Sequence, residues 1–139
     1  MIVGLLSDTH DRLPLIDEAV EKFNQEKVEL VLHAGDYVSP FVAANFKRLK
    51  APLIGVFGNN DGDKALLKKK FTDQGADIRG RFAFVLVDGL RIALSHGDNR
   101  ELMRSILELE CYDVLISGHT HASKVYRKGR MLVINPGEV

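Results

Sequence analysis

The sequence LISGHTH, residues 115–121, is an apolar run that stops at a glycine and then presents two histidines one residue apart. Along an extended segment, side chains at positions i and i+2 lie on the same side, so His119 and His121 can direct ring nitrogens at one point. That geometry suits a metal ion, although an isolated pair with this spacing is more often two ordinary loop histidines. His10 and His96 also follow short apolar runs, beside Asp or Gly. This recurrence favours one shared site over independent surface positions.

In the N-terminal half, short apolar runs alternate with helical patterns. The runs, residues 2–6, 28–32 and 53–57, predict strands that are covered on both faces. Apolar residues recur at helical spacing over residues 13–23, between the first two runs. Ser39 and Pro40 predict the cap and first turn of a second helix between the next two. The order strand, helix, strand, helix, strand predicts parallel pairing with right-handed crossovers.

The C-terminal half has a different pattern, dominated by hairpins. Residues 82–87 and 90–95 flank Asp88-Gly89, the two-residue signal for a tight antiparallel turn. A helix is expected next, with Asp98 as its cap and with Leu102, Ile106 and Leu109 turned inward. The strand 114–117 then leads into the two histidines, and residues 124–127 and 131–135 form a second hairpin. The chain therefore combines a parallel half with a hairpin half.

Length and composition limit the class of protein. The 139 residues are expected to form one domain, with 45% hydrophobic and 27% charged residues. Lys and Arg together equal Asp and Glu at 19 each, so no net positive field would attract nucleic acid as the main partner. Cys111 is the only cysteine, which excludes an intrachain disulfide. No signal peptide or membrane span is expected, and we predict a cytoplasmic location.

Candidate metal ligands fall where five predicted strands end. Open α/β sheets bind ligands in the loops beyond the carboxyl ends of their strands. Each candidate has an ordinary alternative role, such as a turn former or a helix cap, and His33 is expected to be a packed residue. Together they are too many for one tetrahedral ion and suit two ions that share a carboxylate. The candidates are Asp8, His10, Asp36, Asn59, His96, His119 and His121.

The order of these motifs resembles the calcineurin-like metallophosphoesterase superfamily, in particular its small prokaryotic and archaeal phosphodiesterases. The motifs are Asp8-Thr9-His10, Gly35-Asp36, Gly58-Asn59-Asn60-Asp61, His96-Gly97, Gly118-His119-Thr120-His121 and Asn135-Pro136-Gly137. The resemblance implies an α/β fold, a two-sheet mixed β-sandwich flanked by helices, formed by residues 1–139 as a single domain. Relatives usually continue through a further strand after the last motif, so this domain is expected to lack that C-terminal strand.

The resemblance also implies an activity and a ligand set. The expected enzyme is a metal-dependent phosphodiesterase, which hydrolyses small phosphoesters with two divalent ions and a hydroxide that bridges them. Oxygen and imidazole ligands without thiolate suit Mn, Ni, Fe, Co or Zn. Asp61 is expected to orient ligands. By the resemblance, one ion is held by Asp8, His10, Asp36 and His121, and the other by Asp36, Asn59, His96 and His119.

Asn60 departs from the family pattern. The larger phosphatases of the family carry a histidine there, which is thought to contact the phosphate and assist the leaving group. Asn60 is therefore the predicted catalytic and substrate-binding position, although an amide offers no proton at neutral pH. Two other functions remain open: a protein-binding scaffold, as in retromer-type relatives, and a metal-dependent module that binds a phosphate compound without hydrolysing it. The expected partner is a small phosphoester, and the sequence leaves a homo-oligomer open.

Overall fold

The first sheet is parallel throughout and contains four strands. The computed structural model describes residues 1–139, and its first four strands pair in the order β1-β2-β3-β4. The parallel half predicted from the sequence is confirmed, with strand ends displaced by at most two residues. The short β4 was not predicted. The strands are β1 (Val3–Leu6), β2 (Leu30–His33), β3 (Leu53–Gly55) and β4 (Asp77–Ile78).

The second sheet is mixed and contains five strands in the order β5-β6-β7-β9-β8. Both predicted hairpins are present as antiparallel pairs, and β7 lies between β6 and β9 with parallel pairing on each side. These strands are β5 (Phe82–Val87), β6 (Leu90–Ser95), β7 (Val114–Ile116), β8 (Lys124–Lys128) and β9 (Met131–Asn135).

The helices cover the outer faces of the two sheets. Against the first sheet pack α1 (Leu13–Gln25), a 3₁₀ helix (Pro40–Phe46) and α2 (Lys64–Thr72). Against the second packs α3 (Arg100–Leu109), through a cluster that includes Ile106 and Leu115. None of these helices has both the length and the apolarity needed to cross a membrane.

Alternation along single strands explains why the strand sequences are continuously apolar. In β2, Val31 packs with the helices, whereas Leu30 and Leu32 join the cluster between the sheets. In β7, Leu115 faces α3, while its two neighbours face the first sheet. Successive side chains of a strand point to opposite faces, so a strand covered on both sides is apolar at every position. The two-sheet sandwich flanked by helices is thus confirmed.

The second predicted helix is present and begins at the predicted cap, but it is a 3₁₀ helix. Ser39 caps it by accepting a hydrogen bond from the Phe41 N–H at 3.2 Å. A segment of seven residues gains little from α-helical propagation. The side-chain amide of Asn45 donates to Asp17 at 3.1 Å and ties the segment to α1.

The start and end of α3 also differ from expectation. Asn99, not Asp98, caps the helix by accepting from the Leu102 N–H at 3.0 Å, while Asp98 lies 3.6 Å from Arg81. Leu109 is 70% exposed at the last turn, because the helix ends there and the chain leaves the sheet. Ile106 alone among the residues of α3 is buried.

Candidate metal centre

The seven predicted ligands lie in loops that follow β1, β2, β3, β6 and β7. Two carboxylates and one imidazole form the buried floor of this region, since Asp8, Asp36 and His96 are at most 1% exposed. His10 is partly buried, and Asn59, His119 and His121 are exposed. The region therefore has a desolvated floor and an open face toward solvent.

Four of the predicted ligands form a compact group. Asp8, His10, Asp36 and His121 each offer one ligand atom, and these atoms lie within 4.8 Å of one another. Nε2 of His121 is 3.3 Å from Oδ1 of Asp8, and Nε2 of His10 is 3.8 Å from Oδ2 of Asp36. The group is the set that the family resemblance assigns to a single ion.

His96 lies between the two buried carboxylates. Its Nδ1 is 2.8 Å from the carbonyl oxygen of Ala34, which can only accept, so Nδ1 carries the hydrogen. Its Nε2 faces Oδ2 of Asp36 at 3.4 Å and Oδ1 of Asp8 at 3.9 Å. Burial lowers the pKa of His96, but the Asp36 carboxylate and the hydrogen bond to Ala34 outweigh burial, and the pKa is raised overall.

Unpartnered polar atoms point into the same space. Three buried atoms here have no hydrogen-bond partner: Oδ1 of Asp8, Nε2 of His10 and Nε2 of His96. The hydroxyl of Tyr37 in the neighbouring core also lacks a partner. An unsatisfied buried polar group costs about 1–3 kcal/mol. Carboxylate oxygens and imidazole nitrogens are ligands that divalent transition metals accept. These residues therefore fit a metal centre by both their chemistry and their unmet bonding capacity.

Asp36 is held by Asn60. The backbone N–H of Asn60 donates to Oδ1 of Asp36, and its side-chain Nδ2 donates to Oδ2, each at 2.9 Å. Burial raises the pKa of Asp36, but the nearby imidazole of His96 and the hydrogen bonds from Asn60 outweigh it, and the pKa is well below its ordinary value. Asp36 is thus an ionised buried carboxylate.

Asp61 joins the loops after β2 and β3. Its Oδ2 accepts from the backbone N–H groups of Gly58 at 2.7 Å and Asp36 at 3.0 Å, and its Oδ1 accepts from Val38 at 2.8 Å. Burial raises the pKa of this carboxyl group. Gly58 is required because a Cβ there would overlap the Asp36 carboxylate.

Asn59 and His119 contact each other at the exposed rim. Nδ1 of His119 lies 3.2 Å from Oδ1 of Asn59, and the ring of His119 meets that of His96 edge-on at 5.2 Å. Neither Asn59 nor His119 belongs to the compact four-residue group. The second predicted ligand set is therefore brought together less closely than the first.

The backbone of the candidate ligands is unusual. Ten non-glycine residues have positive φ, and five of them are predicted ligands. Such left-handed conformations cost non-glycine residues energy and cluster at functional sites, and Asp, Asn and His tolerate them better than most. The five ligands are Asp8, His10, Asp36, His119 and His121, with φ between 49° and 73°.

Two side chains near the centre, Glu138 and Arg12, were not predicted from the sequence. Glu138 contacts His121, with Oε2 3.1 Å from Nδ1, and also pairs with Arg12 at 3.3 Å. The only sequence signal was an acidic residue directly after the Asn-Pro-Gly turn.

His33 has the packed role predicted from the sequence. It is fully buried, accepts a hydrogen bond from the backbone N–H of Gly35 and stacks on Tyr37, and burial lowers its pKa to about 3.

Comparison with known proteins explains this arrangement. The model of the calcineurin-like phosphoesterase superfamily domain matches residues 1–139. The chain belongs to this superfamily. The predicted family is confirmed, and so is the prediction that the protein is a metal-dependent enzyme that hydrolyses phosphate esters.

Individual superfamily members are similar over the whole chain. A phosphodiesterase of Methanocaldococcus jannaschii is 42% identical over 139 residues, covering 99% of this chain and 84% of the relative. A probable metallophosphoesterase of Methanothermobacter thermautotrophicus is 36% identical, covering 99% of this chain and 76% of the relative. The solved structure of an archaeal phosphodiesterase superposes with a TM-score of 0.93 at 42% identity, covering 99% of this chain and 84% of that chain.

Proposed function

We propose that the protein is a phosphodiesterase that hydrolyses small phosphoesters at a dinuclear metal centre. The observation that carries this proposal is the convergence of Asp8, Asp36 and His96 on one buried point, where their ligand atoms face one another. Two carboxylates this close and this desolvated repel each other unless cations lie between them. The similarity to an archaeal phosphodiesterase supports the choice of diesters.

One ion would be held by the compact group of Asp8, His10, Asp36 and His121, and the other by Asp36, Asn59, His96 and His119. In this assignment Asp36 is shared, and its two oxygens and strongly lowered pKa suit that role. When bound, divalent ions such as Mn, Ni, Fe, Co or Zn supply Lewis acidity toward phosphoryl oxygens and activate water for attack.

The residues of the chain would orient the ligands and the substrate. His96 presents Nε2 because Ala34 accepts the hydrogen of Nδ1, and such hydrogen bonds fix the tautomer of metal-binding histidines. Asn60 could hold a phosphoryl oxygen through its side-chain amide, which requires exchange of its bond to Asp36. Asp8 and Asp36 leave the loaded centre with a positive excess, which attracts an anionic diester although the protein has no net charge.

The exposed rim suits small phosphoester substrates, and we propose a cytoplasmic location for the protein. Asn59, His119 and His121 are exposed, so the centre opens directly to solvent. The single cysteine, which excludes an intrachain disulfide, is compatible with a reducing compartment.

The test is metal content measured together with hydrolysis of bis-p-nitrophenyl phosphate. We expect two ions per chain, and activity that a chelator removes and Mn²⁺ or Ni²⁺ restores. Asp36→Asn should abolish activity, whereas Asp98→Asn is the matched control because Asp98 lies beside Arg81 and outside the centre. Absence of metal would indicate a scaffold instead, and two bound ions without turnover would indicate a binding module.

A further inference from the structure

The last residues of the chain fold back onto the candidate centre. The backbone N–H of Glu138 donates to the carbonyl of His121 at 3.4 Å, and Oε2 of Glu138 lies 3.1 Å from Nδ1 of His121. Glu138 is thus joined to the loop after β7 through both its backbone and its side chain. No other carboxylate contacts Nδ1 of His121.

This contact determines which nitrogen of His121 faces the centre. An ionised carboxylate can only accept a hydrogen bond, so Nδ1 carries the hydrogen and Nε2 keeps its lone pair. That Nε2 lies 3.3 Å from Oδ1 of Asp8, inside the compact group. His96 reaches the same tautomer through the carbonyl of Ala34. His121 is 39% exposed, so without Glu138 no hydrogen bond would fix which of its ring nitrogens carries the hydrogen.

Arg12 connects this pair to the loop after β1. Its Nη2 is 3.3 Å from Oε2 of Glu138, and its Nη1 donates to the carbonyl of Val139 at 3.5 Å. The backbone N–H of Arg12 donates to the carbonyl of Thr9, which lies between Asp8 and His10. The guanidinium therefore aligns the carboxylate with a segment that itself carries two candidate ligands.

We propose that Glu138 is a positioning residue that holds His121 in the tautomer and ring orientation needed to bind a divalent cation through Nε2. That a cation binds here rests on the function proposed above, whereas the assignment of the tautomer does not. Glu138 and Arg12 are 37% and 49% exposed, and pairs this exposed contribute little to folding stability. Loss of Glu138 should therefore weaken cation binding far more than it lowers the melting temperature.

The experiment compares Glu138→Ala, Glu138→Gln and the control Glu108→Ala. Glu108 pairs with Arg104 at 2.8 Å on the exposed face of α3, so the control removes the same charge and a similar ion pair elsewhere. Calorimetric titration with Mn²⁺ should show affinity reduced about 10- to 100-fold in Glu138→Ala. Glu138→Gln should stay near the wild type, since its amide oxygen still accepts from Nδ1, and the control should be unchanged.

A second readout needs no metal. In the metal-free protein, ¹⁵N NMR of His121 should show Nδ1–H as the single tautomer in the wild type and a mixture in Glu138→Ala. Wild-type affinity or an unchanged tautomer in Glu138→Ala would overturn the proposal, as would Glu138→Gln binding as weakly as Glu138→Ala. Failure of the wild type to bind Mn²⁺ would overturn the proposed function instead, and the NMR comparison would still decide the role of Glu138.

Discussion

Nε2 of His96 lies 3.4 Å from Oδ2 of Asp36, and each of the two side chains is 1% exposed. Without a metal ion, a proton on His96 is the nearest charge that can balance Asp36, which explains the raised pKa of the imidazole. A cation that binds here must displace that proton. Metal binding and proton release are therefore coupled at this pair of residues.

The first prediction is that metal affinity rises with pH over a window that extends above the ordinary histidine pKa of about 6.5. The raised pKa of His96 keeps its proton bound into that range, so the proton competes with the cation until the pH exceeds the raised value. Calorimetry with Mn²⁺ in buffers of different ionisation enthalpy should detect the released proton. An affinity that is constant between pH 6 and pH 8 would contradict the coupling.

The same pKa shift affects the metal-free fold in the opposite sense. The folded-state pKa of His96 lies above the unfolded value, so its stabilising contribution is complete below pH 6.5 and is lost as the pH rises through the folded value. Saturating metal should remove this dependence, because the bound ion replaces the proton.

The second prediction concerns the one residue assigned to both ions. Asp36→Asn should lose more metal than Asn59→Ala, because it removes a negative charge and the shared ligand together. An ion present at 100 times its dissociation constant stabilises the native state by about 2.7 kcal/mol. The rise in melting temperature between chelator and Mn²⁺ should therefore largely disappear in Asp36→Asn. Two ions per chain in that variant would refute the assignment.

The third prediction concerns Asn60, which donates two hydrogen bonds to Asp36 and has no proton to give to a leaving group. Hydrolysis of methyl aryl phosphates should become steeply slower as the leaving-group pKa rises. Asn60→His should flatten this dependence by restoring a donor, worth up to about 10²- to 10⁴-fold on the poorest leaving groups. Equal slopes for both proteins, measured at saturating metal, would mean that Asn60 only positions the phosphate.

The fourth prediction follows from the buried imidazole of His33, whose pKa burial lowers to about 3. An unfolded histidine has a pKa near 6.5, so between these values the unfolded chain binds the extra proton. The free energy of unfolding should therefore rise with pH through this window, by up to about 1.4 kcal/mol per pH unit from this group. Denaturant titrations of the metal-free protein at a series of pH values should show that the free energy of unfolding rises less steeply with pH in His33→Gln than in the wild type. An identical slope would show that His33 is not the group responsible.

The fifth prediction uses the unpartnered hydroxyl of Tyr37. Its ring stacks on His33 and packs against Phe71, while its hydroxyl oxygen forms no hydrogen bond. Tyr37→Phe should be neutral or stabilising by about 1 kcal/mol, because it removes a desolvated polar group and keeps the packing. Tyr37→Ala should cost about 3–5 kcal/mol, as large aromatic deletions do. Both values are measurable by chemical denaturation, and a marked loss in Tyr37→Phe would reveal a bond to that hydroxyl.

The strands could be predicted because they depend on local pattern. Residues 82–87 and 90–95 flank an Asp-Gly turn, and both strands have these bounds in the structure. The seven ligand positions follow strand ends, and parallel pairing brings these ends to one edge within each sheet. That the two edges meet at one site was implied by the family resemblance. Roles that depend on burial were also accessible, as the packed His33 shows.

Contacts between distant segments could not be predicted. Glu138 reaches His121 across 17 positions and Arg12 across 126, and no local pattern encodes either contact. The predicted cap of α3 was one residue too early. Asp98 and Asn99 are both good capping residues, and in the structure Asn99 caps the helix while Asp98 pairs with Arg81. The bond between Asn45 of the 3₁₀ helix and Asp17 of α1 likewise joins different elements.

The left-handed backbone at five candidate ligands also restricts how the site can evolve. Besides glycine, the residues that accept this conformation most readily are Asp, Asn and His, so exchanges among these types preserve the loops. Glu or Cys could coordinate an ion equally well, yet their side chains give no comparable tolerance of positive φ. Descendants of this sequence would therefore change the charge and the number of ligands at the centre before they change the path of the chain around it.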